Sequence, residues 1–268
     1  MRGYKALFGI TGSPFSKGIP TQALLRYDQF QELAEYATYV AEEGSIGLVT
    51  GEVGAGKSTA MRAFIETLDD RRYHVCPVGN ADATRSVFRQ LAWSFGMRAA
   101  HLKGDLRDDV HVRVAALWTE HAKRTILVVD DAQALGSRAL QELRLLTNFA
   151  CDSQSPLGLM LVGHPQLRAQ LKELPNEALD QRIMLRYHLA GLSLDETAAY
   201  IRAHLAAVGA KPDIFTDDAT AHIFQHSKGL PRRINKIAIQ SLLKAGHKEI
   251  CPIDAKLVGA VIKDIAQE

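Results

Sequence analysis

The stretch from residue 46 to residue 59 constrains this chain more than any other. It reads Ile46-Gly47-Leu48-Val49-Thr50-Gly51-Glu52-Val53-Gly54-Ala55-Gly56-Lys57-Ser58-Thr59. Gly51, Gly56, Lys57 and Ser58 fit the pattern G-x-x-x-x-G-K-[ST]. The apolar run Ile46 to Val49 predicts a buried strand before the turn, and Thr59 to Ile65 is compatible with a helix after it. Glycines let the backbone curl so that successive N–H groups converge on phosphate oxygens. The following helix adds its positive dipole end. Lys57 brings a point charge to β- and γ-phosphates, and the Ser58 hydroxyl is a ligand for Mg²⁺. Gly51, Glu52, Val53, Gly54, Ala55, Gly56, Lys57, Ser58 and Thr59 are therefore the expected binding loop for ATP.

A second motif lies about 70 residues on, in Thr125-Ile126-Leu127-Val128-Val129-Asp130-Asp131. Apolar residues ending in two acids form a Walker B pattern. A central parallel strand would deliver Asp130 to the carboxyl edge of the sheet, beside the loop, where it can hold Mg²⁺ through water. Asp131 is then placed to orient the attacking water. Another buried strand, Leu157 to Gly163, ends in His164. The runs 126–129 and 159–162 are almost wholly apolar, as expected of parallel strands covered on both faces. With a strand over Tyr73 to Val78 and helices over 27–43, 84–95, 108–122 and 137–150, the chain alternates strands and helices. That pattern predicts an α/β fold, with a parallel sheet sandwiched by helices.

The character changes near 190. Ser193-Leu194-Asp195-Glu196 is a capping box, Thr216 and Asp217 start a further helix, Pro231 opens the next and Asp254 caps a last one. The expected organisation is an arm over 1–25, an α/β domain over 26–190 and a small helical lid over 191–268. Gly9, Gly12, Pro14, Gly18 and Pro20 exclude a long element from the arm, while Tyr4, Phe8 and Phe15 predict that it packs.

Composition narrows the rest. The 268 residues are 47% hydrophobic and 23% charged, enough for a buried core. A net charge of +2 means that any nucleic-acid contact must come from local patches. Cys76, Cys151 and Cys251 are scattered and odd in number, which argues against a disulfide framework or zinc site and fits a reducing cytoplasm. No run approaches a membrane span and no signal peptide is evident. His222 and His226 have metal-capable spacing without an evident third ligand, so they are expected to be solvated. Trp93 and Trp118 are expected to pack.

Phe8-Gly9-Ile10-Thr11-Gly12-Ser13-Pro14-Phe15, Leu161-Val162-Gly163-His164-Pro165-Gln166-Leu167 and Gly229-Leu230-Pro231-Arg232-Arg233-Ile234-Asn235 carry a resemblance. They resemble the FGL-x-x-x-PF, LxGxPxL and GxPRRIN stretches of the ExeA/GspA-like AAA+ ATPases and their transposon-encoded relatives. The resemblance implies that His164 is a sensor 1 residue near the γ-phosphate and that Arg232 is the lid's sensor 2 arginine. It also implies that Arg182 is a finger reaching a neighbour's nucleotide. Asp131 stands where that family usually has Glu. The shorter acid withdraws the carboxylate by about 1.5 Å, and slow hydrolysis is the expectation. His164 stands where Gln, Asn or Thr is usual, which adds sensitivity to pH.

Secretion ATPases of the family carry a membrane segment and a peptidoglycan-binding region after the ATPase. This chain ends after the lid, so the transposon-encoded branch is the expectation. Its members resemble the Mu B and TnsC/TniB regulators: ATP-dependent binders of double-stranded DNA that self-associate into rings or helical filaments and recruit a transposase. The expectation is a cytoplasmic Mg-dependent ATPase of that kind, with no membrane partner. The alternatives are an assembly factor for a secretion or other membrane machine, without DNA binding, and a STAND-like or initiator-type switch. Within 79–104, Arg85, Arg89, Arg98 and Lys103 face a single acid, Asp82. Arg85 and Lys103 are the expected phosphate contacts to DNA. The rival patch is 219–248, which lacks acids and contains Lys228, Arg233, Lys236, Lys244 and Lys248.

Overall fold

A computed structural model of the chain describes residues 4–16, 18–79, 84–97, 106–150 and 153–267; at 84–86 and 212 it describes the backbone. The chain divides into two compact units. One contains Gln29–Gly51 and Lys57–Leu189, and the other Met1–Asp28, Glu52–Gly56 and Ala190–Glu268.

The first unit is built on a five-stranded parallel sheet. Its strands are β1 (Ile46–Gly51), β2 (Tyr73–Val78), β3 (Arg124–Val129), β4 (Leu157–Gly163) and β5 (Ile183–Leu189), in the order β2-β3-β4-β1-β5. β1 and β4 are buried along their whole length, as strands covered on both faces must be. The helices are α2 (Asp28–Glu43), α3 (Lys57–Ile65), α4 (Thr84–Ser94), α5 (Leu106–His121), α6 (Ser137–Leu146), α7 (Gln166–Leu171) and α8 (Glu177–Arg182). Val87, Phe88, Leu91, Val110, Val114 and Leu143 join Leu127, Leu159 and Leu161 of the sheet in one core. The fold class is as the sequence predicts. α6 stops before the predicted 150: its end tightens as the Thr147 and Asn148 N–H groups donate to the Arg144 and Leu145 carbonyls, and Ala150 takes φ 47°. Trp93 does not pack: it stands 55% exposed on α4, with the Arg89 guanidinium 6.0 Å from its ring. Trp118 is half-buried under the guanidinium of Arg124, 4.7 Å away.

The second unit is helical. It contains α1 (Tyr4–Phe8; α-helices are numbered in chain order), α9 (Leu194–Ala206), α10 (Asp217–Ser227), α11 (Pro231–Lys248) and α12 (Ala255–Gln267). The capping box at Ser193 and Glu196 is formed in both directions. Thr216 caps α10 through the Ala219 N–H, and Asp254 accepts from the Leu257 N–H at 2.8 Å. The N-terminal arm packs here. Phe8, Ile10 and Phe15 join Leu205, Ile223, Ile234 and Val258 in the core. Thr11 fastens the arm by donating its N–H and its hydroxyl to the Val208 carbonyl. Gly246 lets α1 lie close on α11, since a Cβ there would stand 2.6 Å from the Cβ of Tyr4.

Candidate functional site

Gly51 ends β1, and the chain turns through 52–56 before α3 begins. The Ala55 N–H closes the turn on the Glu52 carbonyl at 3.1 Å. Gly54 and Gly56 hold φ of 84° and 100°, a region in which a side chain is strained. Gly54 is constrained twice. A Cβ on it would stand 2.5 Å from the Cβ of Arg232, whose N–H donates to the Gly54 carbonyl at 3.2 Å. The amino end of α11 therefore abuts the crest of the turn, within the helical unit. This places Arg232, exposed, beside Gly54.

Lys57 opens α3 with only 6% of its surface exposed, and its ammonium donates to the Gly51 carbonyl at 2.8 Å. Burying an ammonium is costly without compensation. A buried cation beside a helix N-terminus, next to exposed Ser58 and half-buried Thr59, is the chemistry that an oligophosphate and its cation require. These residues fit MgATP.

The acids lie at the same edge of the first unit. Parallel pairing puts the carboxyl ends of β3, β4 and β1 side by side. Half-buried Asp130 follows β3, and its N–H donates to the Val78 carbonyl at 2.9 Å. Asp130 Oδ1 accepts the Asp131 N–H at 2.9 Å. Asp131 has φ 53° and ψ 38°, a left-handed conformation that costs a non-glycine residue on the order of 1 kcal/mol. Its carboxylate is 3.7 Å from Nε2 of His164, at the end of β4. Gln133 stands between them. Its Nε2 donates to Asp131 Oδ1 at 3.0 Å, and its Oε1 accepts the His164 N–H at 3.0 Å. The structure thus brings together Lys57, Ser58, Asp130, Asp131 and His164 on one edge.

No motif in the sequence marks Gln133. Its signal is an amide two residues after the second acid, in Asp130-Asp131-Ala132-Gln133. Such a side chain returns to its own turn only once the turn's geometry is known. Gly163 makes room for it: a Cβ there would come within 2.5 Å of Gln133 Oε1.

Arg182 is not brought to these residues. It ends α8 at the opposite edge, where Ile183 pairs with Ile46, and it donates to the Arg144 carbonyl at 3.3 Å. Lys103 lies outside the described residues, and Arg85 sits in the first turn of α4 with its side chain outside them. Within the rival basic stretch, Lys228 takes the left-handed position that ends α10, and Lys244 pairs with Asp264 at 2.6 Å. Arg233, Lys236 and Lys248 are exposed. The rings of His222 and His226 stack at 5.2 Å. Among the described residues no group of three or more His, Cys, Asp or Glu could hold a metal ion, and no helix is long and apolar enough to cross a membrane.

Residues 40–171 match the AAA domain family. The general secretion pathway protein A of Aeromonas hydrophila is 31% identical over 99% of this chain, which spans 49% of that protein. The ATP-dependent target DNA activator B of Escherichia phage Mu is 26% identical over 47% of this chain and 37% of its own length. The chain thus spans half or less of the curated relatives it matches. Among solved structures, the ORC2 protein of Aeropyrum pernix in ADPNP–ADP complexes superposes with a TM-score of 0.71 and 14% identity, over 93% of this chain and 70% of that one. With this fold and these motifs, the chain carries an AAA domain over residues 40–171 and resembles the ExeA/GspA-like AAA+ proteins, with a further resemblance to Mu B.

Proposed function

We propose that the protein is an ATP-dependent, DNA-binding AAA+ ATPase that assembles on target DNA and recruits or stimulates a transposase. The observation that carries the reading is the gathering of buried Lys57 with Asp130, Asp131 and His164 at one sheet edge. In this reading Gly51 to Thr59 and Arg232 bind ATP, and Ser58 and Asp130 hold Mg²⁺. When bound, the metal supplies charge neutralisation at the phosphates. Asp131 orients the water, His164 hydrogen-bonds near the γ-phosphate, and Arg182 serves a neighbouring copy. The direction towards DNA comes from the likeness to the Mu activator, whose name states ATP-dependent action on target DNA. The likeness to general secretion pathway protein A along 99% of the chain favours a second reading. There, the same ATPase serves assembly of a secretion or other membrane machine and binds no DNA.

Fluorescence anisotropy with a labelled duplex, with and without a non-hydrolysable ATP analogue, separates the two. The expected result is duplex binding that needs the analogue, tolerates any sequence and is lost in Lys57→Ala. Replacing both Arg85 and Lys103 by Ala should lower the salt slope by about 2, one for each phosphate contact. Nucleotide-loaded protein that ignores duplex DNA at low salt, yet sediments with lipid vesicles or peptidoglycan, selects the second reading. Loss of duplex binding on substituting Arg233 and Lys236 alone moves the DNA contact to the lid.

A further inference from the structure

We propose that Gln133 is a positioning residue: it fixes the Asp131 carboxylate and couples it to the end of β4, so that displacement at His164 is passed to Asp131. The proposal rests on the reading of Asp131 as the water-orienting acid. Both partners of the Gln133 amide have fixed polarity. The His164 N–H can only donate, and the Asp131 carboxylate oxygen is taken as an acceptor. The amide therefore has one orientation that satisfies both, oxygen towards β4 and nitrogen towards the acid.

Two features make the strap specific. Asp131 sits in a left-handed backbone, so its side chain direction is set by an unusual main chain rather than by an ordinary rotamer choice. Gly163 leaves room for the Gln133 oxygen against the end of β4, where any Cβ would crowd it. A Gln at this point thus joins two groups that the proposed reaction needs in register. His164 Nε2 itself stands 3.7 Å from the carboxylate, longer than a hydrogen bond, so the amide makes the close polar link between them.

The test uses variants at Gln133, Gly163 and Asp131 in the full chain and two kinds of measurement. The first is hydrogen exchange of the His164 amide by NMR, without nucleotide. Gln133→Ala removes the acceptor and should speed exchange about fivefold or more. Gln133→Glu keeps an acceptor there and should leave exchange near the wild-type rate. The second is the division between binding and turnover. Both variants should bind an ATP analogue with unchanged Kd and lose roughly ten- to a hundredfold in kcat, because a misplacement of about 1 Å suffices for that. In an Asp131→Asn background, Gln133→Ala should cost nothing further, since the two act as one unit. Gly163→Ala displaces only the end of a flexible side chain at Gln133 and at Leu167. It should reproduce the loss of kcat even if Gln133→Ala folds poorly. Unchanged kcat in Gln133→Glu and Gly163→Ala, or unchanged His164 exchange in folded Gln133→Ala, overturns the proposal. Wild-type turnover in Asp131→Asn overturns instead the reading of Asp131, and the exchange result then stands on its own.

Discussion

At the scale of single residues, Asp130 and Asp131 are adjacent in sequence but differ in surroundings. Asp130 is half-buried and its oxygen accepts the next residue's N–H; Asp131 projects into solvent with its side chain 53% exposed, tied by Gln133. Asp130→Asn is therefore expected to weaken Mg²⁺-dependent nucleotide binding, measured by calorimetry with and without the metal. Asp131→Asn should leave ATP bound and reduce turnover at least a hundredfold, as loss of a general base does. Equal binding and hydrolysis in Asp131→Asn and wild type would falsify the division of roles. A different residue is expected to shape acid stability. His204 is buried, stacked at 5.2 Å on Phe15 and tilted against Tyr200 at 4.3 Å. Burial pushes its pKa down from 6.5 to about 4. The unfolded chain then binds the proton more readily, so stability is complete above pH 6.5 and declines as pH falls from there to about 4. The span corresponds to roughly 3 kcal/mol. His204→Phe keeps a ring for the stack and should flatten that decline in urea titrations at pH 7 and pH 5. The wild-type slope persisting in the variant would assign the acid sensitivity elsewhere.

At the scale of elements, the connection between α2 and β1 is the most constrained. Gly44 has φ 64°, and a Cβ there would overlap the Ser155 carbonyl and the Arg124 guanidinium. Arg124 donates to the carbonyls of Ser155, Ala41 and Glu42 and stacks on Trp118. One side chain thus ties α2, α5 and the approach to β4 at the start of β3. Gly44→Ala should destabilise by about 3 kcal/mol, combining left-handed strain with the displacement of Arg124. A loss below about 1 kcal/mol in denaturant titration would show that the neighbours yield freely. This clamp was illegible in the sequence, because it is assembled from residues up to 114 positions apart whose carbonyls carry no sequence signal. β5 was missed for a related reason. Its buried ends, Ile183 and Leu189, enclose Met184, Arg186 and His188, all exposed, and an edge strand with one wet face lacks the continuous apolar run that marked β1, β3 and β4. Elements with their own chemistry were plain: the turn at 51–57, the acids after β3, the capping box at Ser193. The same division holds in the candidate site, where Lys57 and Asp130 come from motifs while Gln133 depends on a fold-made contact.

At the scale of the whole molecule, the placement of Arg182 means that the proposed finger role needs a second copy. Arg182 precedes β5 at its amino end, and Leu189 at the other end pairs with Gly51. A strand rises about 3.3 Å per residue, so seven residues separate the two edges by roughly 20 Å. An arginine side chain cannot cross that distance within its own α/β unit. The guanidinium can stabilise charge at a γ-phosphate only if another subunit presents that phosphate to it. Two inactive variants test this together. Arg182→Ala keeps its own Lys57, and Lys57→Ala keeps its own Arg182. Each alone should hydrolyse ATP at a small fraction of the wild-type rate. In mixtures, a Lys57→Ala subunit can offer its arginine to the intact loop of an Arg182→Ala neighbour. Hydrolysis should then rise from both ends of the mixing series to a maximum near equal proportions. Such a maximum cannot arise if Arg182 merely supports its own chain through Arg144, because each variant's defect would then travel with its own subunit. A mixing series that stays flat, with both variants folded and co-assembling in analytical ultracentrifugation, removes Arg182 from the shared site and leaves it as a buttress for α6.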